Sequence, residues 1–210
     1  DFFARYLRAQ LKVPVGVIQT SWGGTPAESW VSGTTLASDP ALISVFADWA
    51  HTLEAYPLAV LRQQKNAVGP GHPHSPSGLY NAMIAPLIPY AMRGVIWYQG
   101  ENNAHRARAA VYRRLFPTLI EDWRRRWGQG DFPFLFVQLA NFAKVPSGAE
   151  WPELREAQTM TLGLANTGMA VTIDIGESEN IHPKNKQDVG LRLGLAARAI
   201  AYGEKLEYSG

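Results

Sequence analysis

The chain has no cysteine. That excludes a disulfide framework, a thiol nucleophile and thiolate-ligated zinc. Charge is sparse as well: 18% of the 210 residues are Asp, Glu, Lys or Arg, and the net charge is +2. This balance gives no electrostatic case for a nucleic-acid partner. A charged share below the usual value of about a quarter argues against disorder. No apolar run reaches the length of a membrane span, so no membrane partner is expected.

What is present is a substantial core composition. Apolar residues make up 46% of the chain, with seven Trp, eight Tyr and eight Phe. The length suits one α/β domain over residues 1–210, and no internal repeat, linker or low-complexity segment interrupts it. The chain opens inside a helical pattern, with Phe2, Phe3, Tyr6, Leu7 and Leu11 on one period. That start leads us to expect further sequence upstream of Asp1, removed or on a separate piece.

The pattern after the first helix, 2–12, alternates strands with helices. Pro14 ends the helix, and Val15 to Gln19 reads as a short apolar strand. It runs into Thr20-Ser21-Trp22-Gly23-Gly24-Thr25. Adjacent glycines there allow a close backbone approach or positive φ, and their N–H groups suit an anion or oxyanion; a plain tight turn is the alternative. Residues 40–66 form a long helical pattern that Pro57 should kink or split. His51 on it is expected at the surface or in packing. Residues 69–78 are a loop by composition, and its His72 and His74 lack the acidic neighbours a metal site needs.

Gly94-Val95-Ile96-Trp97-Tyr98-Gln99-Gly100-Glu101-Asn102-Asn103 is the first chemical stretch. Val95 to Tyr98 suits a strand buried on both faces. Polar groups then follow at its carboxyl end, where open α/β sheets place their sites. Asn81, just before this strand, is a site residue or a turn former. An amphipathic helix comes next, with Arg106, Arg108, Arg113, Arg114 and Arg124 to Arg126 read as a solvated face. Phe134 to Leu139 is a strand, 152–164 a helix and Met169 to Ile175 a strand.

The second chemical stretch is Asp174-Ile175-Gly176-Glu177-Ser178-Glu179-Asn180-Ile181-His182-Pro183, leading to a final helix at 184–202. Pro183 makes His182 the last loop residue, held at a helix N-terminus. Asp174, Glu177 and Glu179 are nearby acids able to orient its imidazole, the logic of nucleophilic hydrolysis. Four strand–helix alternations without a hairpin signal predict a mainly parallel sheet covered on both faces.

Four segments together resemble the sialate O-acetylesterase family and its acetylxylan-esterase relatives, within the SGNH-hydrolase superfamily. They are Pro14 through Thr25, Leu79 through Pro86, Gly94 through Asn103, and Ile181-His182-Pro183-Lys184-Asn185-Lys186. The resemblance implies a three-layer α/β/α, flavodoxin-like sheet and serine-dependent removal of acetyl groups from sugars. It implies an oxyanion donor at the N–H of Gly23 or Gly24, completed by Gln99, and a catalytic base at His182. The acid is left open between Glu101, Glu179 and, third, Asp174. Asn81, Asn102 and Asn103 are expected to contact an acetylated carbohydrate. No metal or organic cofactor is implied.

The family's nucleophile sits in an early Gly-Gln-Ser-Asn block, and no Gly-Gln-Ser occurs here. Ser21 lies in a different block and is not taken as the nucleophile. The serine, with the first strand of the sheet, is therefore expected upstream or on a separate piece, leaving an open sheet edge. A secreted or periplasmic location is implied by the family alone. A carbohydrate-binding domain without catalysis, or a different acyl esterase of the same superfamily, are the competing expectations. Residues 66–78 and 142–152 are the loops expected to set specificity.

Overall fold

The computed structural model describes residues 1–105, 107–145 and 148–209. Arg106, expected on the basic face, and Pro146 and Ser147, within an expected specificity loop, lie outside the described residues.

A parallel sheet forms the centre: β1 (Val95–Trp97), β2 (Phe134–Val137) and β3 (Thr167–Ala170), in that spatial order. Val95 pairs with Phe134 and Trp97 with Phe136; Phe134 pairs with Thr167 and Val137 with Ala170. Two helices make the crossovers, α4 (Arg108–Trp127) from β1 to β2 and α5 (Trp151–Met160) from β2 to β3. The others are α1 (Phe2–Leu11), α2 (Gly33–Ser38), α3 (Ser44–Leu61) and α6 (Lys186–Tyr202).

The alternation of side chains along β2 builds the layers. Phe134 and Phe136 point into one core with Trp97 and with Tyr112, Phe116 and Trp123 of α4. Leu135 and Val137 point into the other, with Leu7 of α1 and Val189, Leu193, Ala196 and Ala197 of α6. Each fully buried Phe or Leu adds about 1.5–3 kcal/mol of transfer free energy. The result is a three-layer α/β/α arrangement.

Several local expectations need correction. Val15 to Gln19 forms no strand: no strand among the described residues lies beside it, and Val17 and Ile18 are 60% and 50% exposed. β1 is shorter than expected and is not buried on both faces. Among the described residues it pairs with β2 alone, and Ile96 on it is 42% exposed. β3 starts at Thr167 and ends at Ala170, because its ladder partner β2 ends at Val137. α3 runs through Pro57 without a break, and that residue is exposed. A separate 3-10 turn, Pro40–Leu42, precedes it, with Asp39 Oδ1 accepting from Ala41 N at 3.0 Å.

The basic residues of α4 form a solvated face only in part: Arg113, Arg114 and Arg125 are exposed, while several of the set also act as ties to other segments. Arg124 is buried and donates to the carbonyls of Phe132, Ala165 and Asn166. Arg125 and Arg126 both reach the buried carboxylate of Asp122, which also accepts from Ser32 N and Thr35 Oγ1. Burial pushes the Asp122 pKa up, but these hydrogen bonds outweigh it and hold it below the usual carboxylate value. Arg113 pairs with Glu156, and Arg114 pairs with Asp39 at 2.6 Å.

Candidate active site

The segments that leave the carboxyl ends of the three strands are 98–105, 138–145 and 171–185. The expected site residues after Asn81 come from the first and third of these, as an open parallel sheet dictates.

The Gly23–Gly24 loop is tied to the β1 end by side chains. Gln99 Nε2 donates to Thr25 O at 3.2 Å, and Asn102 Nδ2 donates to Gly24 O at 2.9 Å. Asn103 Oδ1 accepts from Ala27 N at 2.9 Å, while its Nδ2 donates to Glu28 Oε2 at 2.9 Å. Gly24 has φ +72°, a conformation that an L side chain adopts only with strain. At Gly100, φ is +153° and an added Cβ would lie 2.6 Å from Leu154 Cδ2, so the chain must pass α5 bare.

These bonds also sort the expected residues. Gln99 Nε2 donates a second time, to Asn103 Oδ1 at 2.6 Å, and Gln99 Oε1 accepts from Tyr112 Oη at 3.1 Å. Its amide is committed to the protein, so donating to an oxyanion requires releasing Thr25 or Asn103. Asn103 is 1% exposed, with both ends of its amide engaged, so it pins the loop and has no face for substrate. Asn102 remains partly exposed beside Gly24. Asn81 is exposed in a π-helical turn, Tyr80–Ile84, that is linked to the same loop by Thr20 Oγ1 donating to Met83 O at 3.3 Å. Ser21 is exposed and accepts from Gln19 Nε2 at 3.3 Å.

His182 is exposed on the 171–185 segment. The helix begins at Lys186 with Asn185 as its cap, so His182 stands outside the first turn rather than on it. Asn180 Oδ1 accepts from His182 N at 2.9 Å. Glu177 accepts from Lys184 N at 2.6 Å and from Asn180 Nδ2 at 3.3 Å, which folds the loop around His182. These bonds hold the Glu177 carboxyl below the usual range, led by the Lys184 N–H. The β2 end braces the loop through Ala143 N, which donates to Ser178 O at 2.9 Å. Asn141 Oδ1, buried and without a hydrogen-bond partner among the described residues, sits 2.0 Å from where a Cβ on Gly176 would be.

The three carboxylates differ sharply. Asp174 makes a bidentate pair with Arg192, both contacts at 2.6 Å, and this lowers its pKa to about 2. Glu179 pairs with Lys144 at 2.5 Å on the surface. The Glu101 carboxylate forms no hydrogen bond or ion pair with another described residue, and the residue is half-buried. Its neighbours tie it to the His182 side of the site. Lys186 Nζ lies 4.6 Å from the centroid of the Tyr98 ring, and both groups feel the Glu101 charge. Burial raises the Tyr98 phenol to about 12, helped by Glu101, and burial lowers Lys186 against the pull of Glu101 and Glu177.

Sequence reasoning passed over the Tyr98–Lys186 contact, because the two residues lie 88 positions apart. It also passed over a hollow next to the site, walled by Trp49, His74, Asn102 and Arg108. His74 packs edge-on against His72, with ring centroids 4.5 Å apart. Burial, with the neighbouring His72, lowers its pKa, so the neutral imidazole is favoured.

Comparison with known proteins identifies the family of the chain. Residues 1–201 match the family model described as carbohydrate esterase, sialic acid-specific acetylesterase. The chain is 40% identical to the sialate O-acetylesterase of Mus musculus, over 97% of this chain and 42% of that protein. It is 38% identical to that of Homo sapiens, over 97% of this chain and 39% of that protein. The crystal structure of a carbohydrate acetylesterase from Xanthomonas citri superposes with a TM-score of 0.80 at 42% identity, covering 100% of this chain and 42% of that one. The chain thus spans about two-fifths of the length of these relatives. By this match and the parallel α/β/α core beneath it, the chain belongs to the carbohydrate esterase family of sialic acid-specific acetylesterases.

Proposed function

We propose that the chain carries the base, the acid and the oxyanion-binding loop of a serine-dependent esterase that removes acetyl groups from sialic acid or another acetylated glycan. The nucleophilic serine belongs, in this reading, to sequence outside these residues. One observation carries the proposal: three side chains from the β1 end fasten the Gly23–Gly24 loop. A loop held that firmly keeps its N–H groups aimed without reorganising during the reaction, which is what oxyanion stabilisation needs.

The steps follow from the groups present. His182 takes the serine proton as the serine oxygen attacks the acetyl carbonyl. The carbonyl oxygen becomes an oxyanion held by the N–H groups of Gly23 and Gly24. Collapse expels the sugar hydroxyl, which takes the proton from His182. Water, deprotonated by His182, then attacks the acyl ester; the serine oxygen departs, taking that proton back from His182, and acetate leaves. Glu101 is the carboxylate we assign to orient the imidazole, because Arg192 and Lys144 engage the other two. Gln99 and Asn103 hold the loop.

The test is made in the full-length protein. A fluorophosphonate probe should label a serine outside these residues, and His182→Ala should abolish both labelling and release of acetate from an acetylated sugar. Near-normal turnover by that variant, or label on Ser21, would refute the assignment.

A further inference from the structure

We propose that the hollow beside Asn102 is a subsite for a neutral oligosaccharide, so that the enzyme acts on acetyl groups along a glycan rather than on a free sugar. The inference rests on the carbohydrate-esterase reading for the chemistry of its ligand.

Position comes first. Asn102 is shared: its amide holds Gly24 O at 2.9 Å, and the residue also lines the hollow. A sugar bound there sits directly beside the oxyanion loop. The inner lobe has a volume of about 250 Å³. An outer lobe of about 500 Å³ continues from it, with Thr52, Val68 and Arg108 common to both. Together they fall in the range of about 300–1,000 Å³ usual for small-ligand sites. The two lobes form a run leading away from the loop, which suits a chain of sugars better than one ring.

Chemistry comes second. Sugars present C–H faces that lie well against aromatic rings, and hydroxyls that pair with planar amides, imidazoles and guanidinium groups. The inner lobe supplies both, through Trp49 and through Asn102, His74 and Arg108. Tyr56 lines the outer lobe. An added Cβ on Gly69 would lie 2.3 Å from that ring, so a bare glycine lets the 69–78 loop close onto α3.

Charge decides the class of sugar. Arg108 Nη1 lies 3.5 Å from Glu28 Oε1, and its Nε lies 3.6 Å from Asp48 Oδ2. Glu28 lines the inner lobe and Asp48 the outer one. Among the described lining residues no other Lys or Arg offsets these two carboxylates. A carboxylated sugar entering here meets like charge, and a neutral one does not.

The test compares acetylated xylotetraose, acetylated xylose and acetylated sialyl-lactose as substrates of the full-length protein. Calorimetric binding of unacetylated xylotetraose and turnover of 4-nitrophenyl acetate accompany it. The tetraose ester should exceed the monosaccharide ester about tenfold in kcat/KM, the size of one good aromatic contact. Trp49→Ala should bring that ratio towards one and weaken xylotetraose binding. Ala55→Gln, an exposed position lining the outer lobe, should do the same in part. Equal kcat/KM for the two neutral esters, a preference for the sialyl ester, or unchanged ratios and binding in both variants would overturn the proposal. Failure to turn over 4-nitrophenyl acetate, with Trp49-dependent binding of xylotetraose retained, would remove the esterase reading and leave the subsite standing.

Discussion

Asn103 Oδ1 accepts a hydrogen bond from the backbone N–H of Ala27 at 2.9 Å, across 76 positions of sequence. The same amide accepts a second hydrogen bond, from Gln99, and donates one to Glu28. Asn103→Ala removes the partner of two buried groups, Ala27 N and Glu28 Oε2, and leaves Gln99 Nε2 with Thr25 O alone. We expect a loss of about 2–4 kcal/mol in urea unfolding, the range for breaking a buried polar cluster. Turnover should fall with it, since the Gly23–Gly24 loop loses an anchor. A change in turnover at unaltered stability would mean that Asn103 meets substrate after all.

The acid can be identified by three amide substitutions. Glu101→Gln should lower kcat by about 10⁴, as for loss of an orienting carboxylate in other serine hydrolases. Glu179→Gln and Asp174→Asn should stay within a few-fold of the parent, because Lys144 and Arg192 hold those groups in surface pairs. A large loss in Glu179→Gln alone would move the role to that residue.

From the sequence alone Glu101 and Glu179 stood level, with Asp174 third. Lys144 and Arg192 separate them, and both lie too far along the chain for local pattern to reveal. β2 was legible because its four residues are all buried and read as one apolar run. Val15 to Gln19 reads the same way, but composition cannot provide a neighbouring strand. Arg124 looked like part of a solvated face, yet the carbonyls it serves, at 132, 165 and 166, come from two other segments. The hollow was invisible for the same reason, since its walls come from segments scattered between Pro26 and Arg108.

Two glycines of the site should respond differently to alanine. Gly100→Ala combines positive φ with a Cβ 2.6 Å from Leu154 Cδ2, and we expect about 3 kcal/mol or more of destabilisation. Gly24→Ala meets nothing within 4 Å and should cost about 1–2 kcal/mol, from backbone strain alone. Denaturant midpoints of the two variants check the order. The reverse order would mean that α5 yields more easily than the packing implies.

The Asp174–Arg192 pair gives a pH signature. The Asp174 carboxyl titrates near 2 in the folded protein, below its ordinary 3.8, because Arg192 donates to it. A depressed carboxyl contributes stability above the ordinary value, and that contribution disappears as pH falls through the folded one. The gap in unfolding midpoint between the parent and Asp174→Asn should therefore be constant above pH 4 and close towards pH 2. A gap independent of pH would show that the pair is not what the substitution removed.

The 18-residue helix α3 has only Val45 as a buried residue, while Leu58, Val60 and Leu61 stand 50%, 49% and 79% exposed. Little apolar area holds it to the sheet, so its opening free energy should lie well below that of β2 or α4. Its amides should exchange with solvent deuterium through local unfolding, ahead of the rest of the fold. Since α3 also walls the hollow, a bound glycan would slow that exchange by mass action on the closed form. Affinity for the glycan and the folding equilibrium of one helix would then be a single linked quantity, tunable by helix propensity at positions that never touch the sugar.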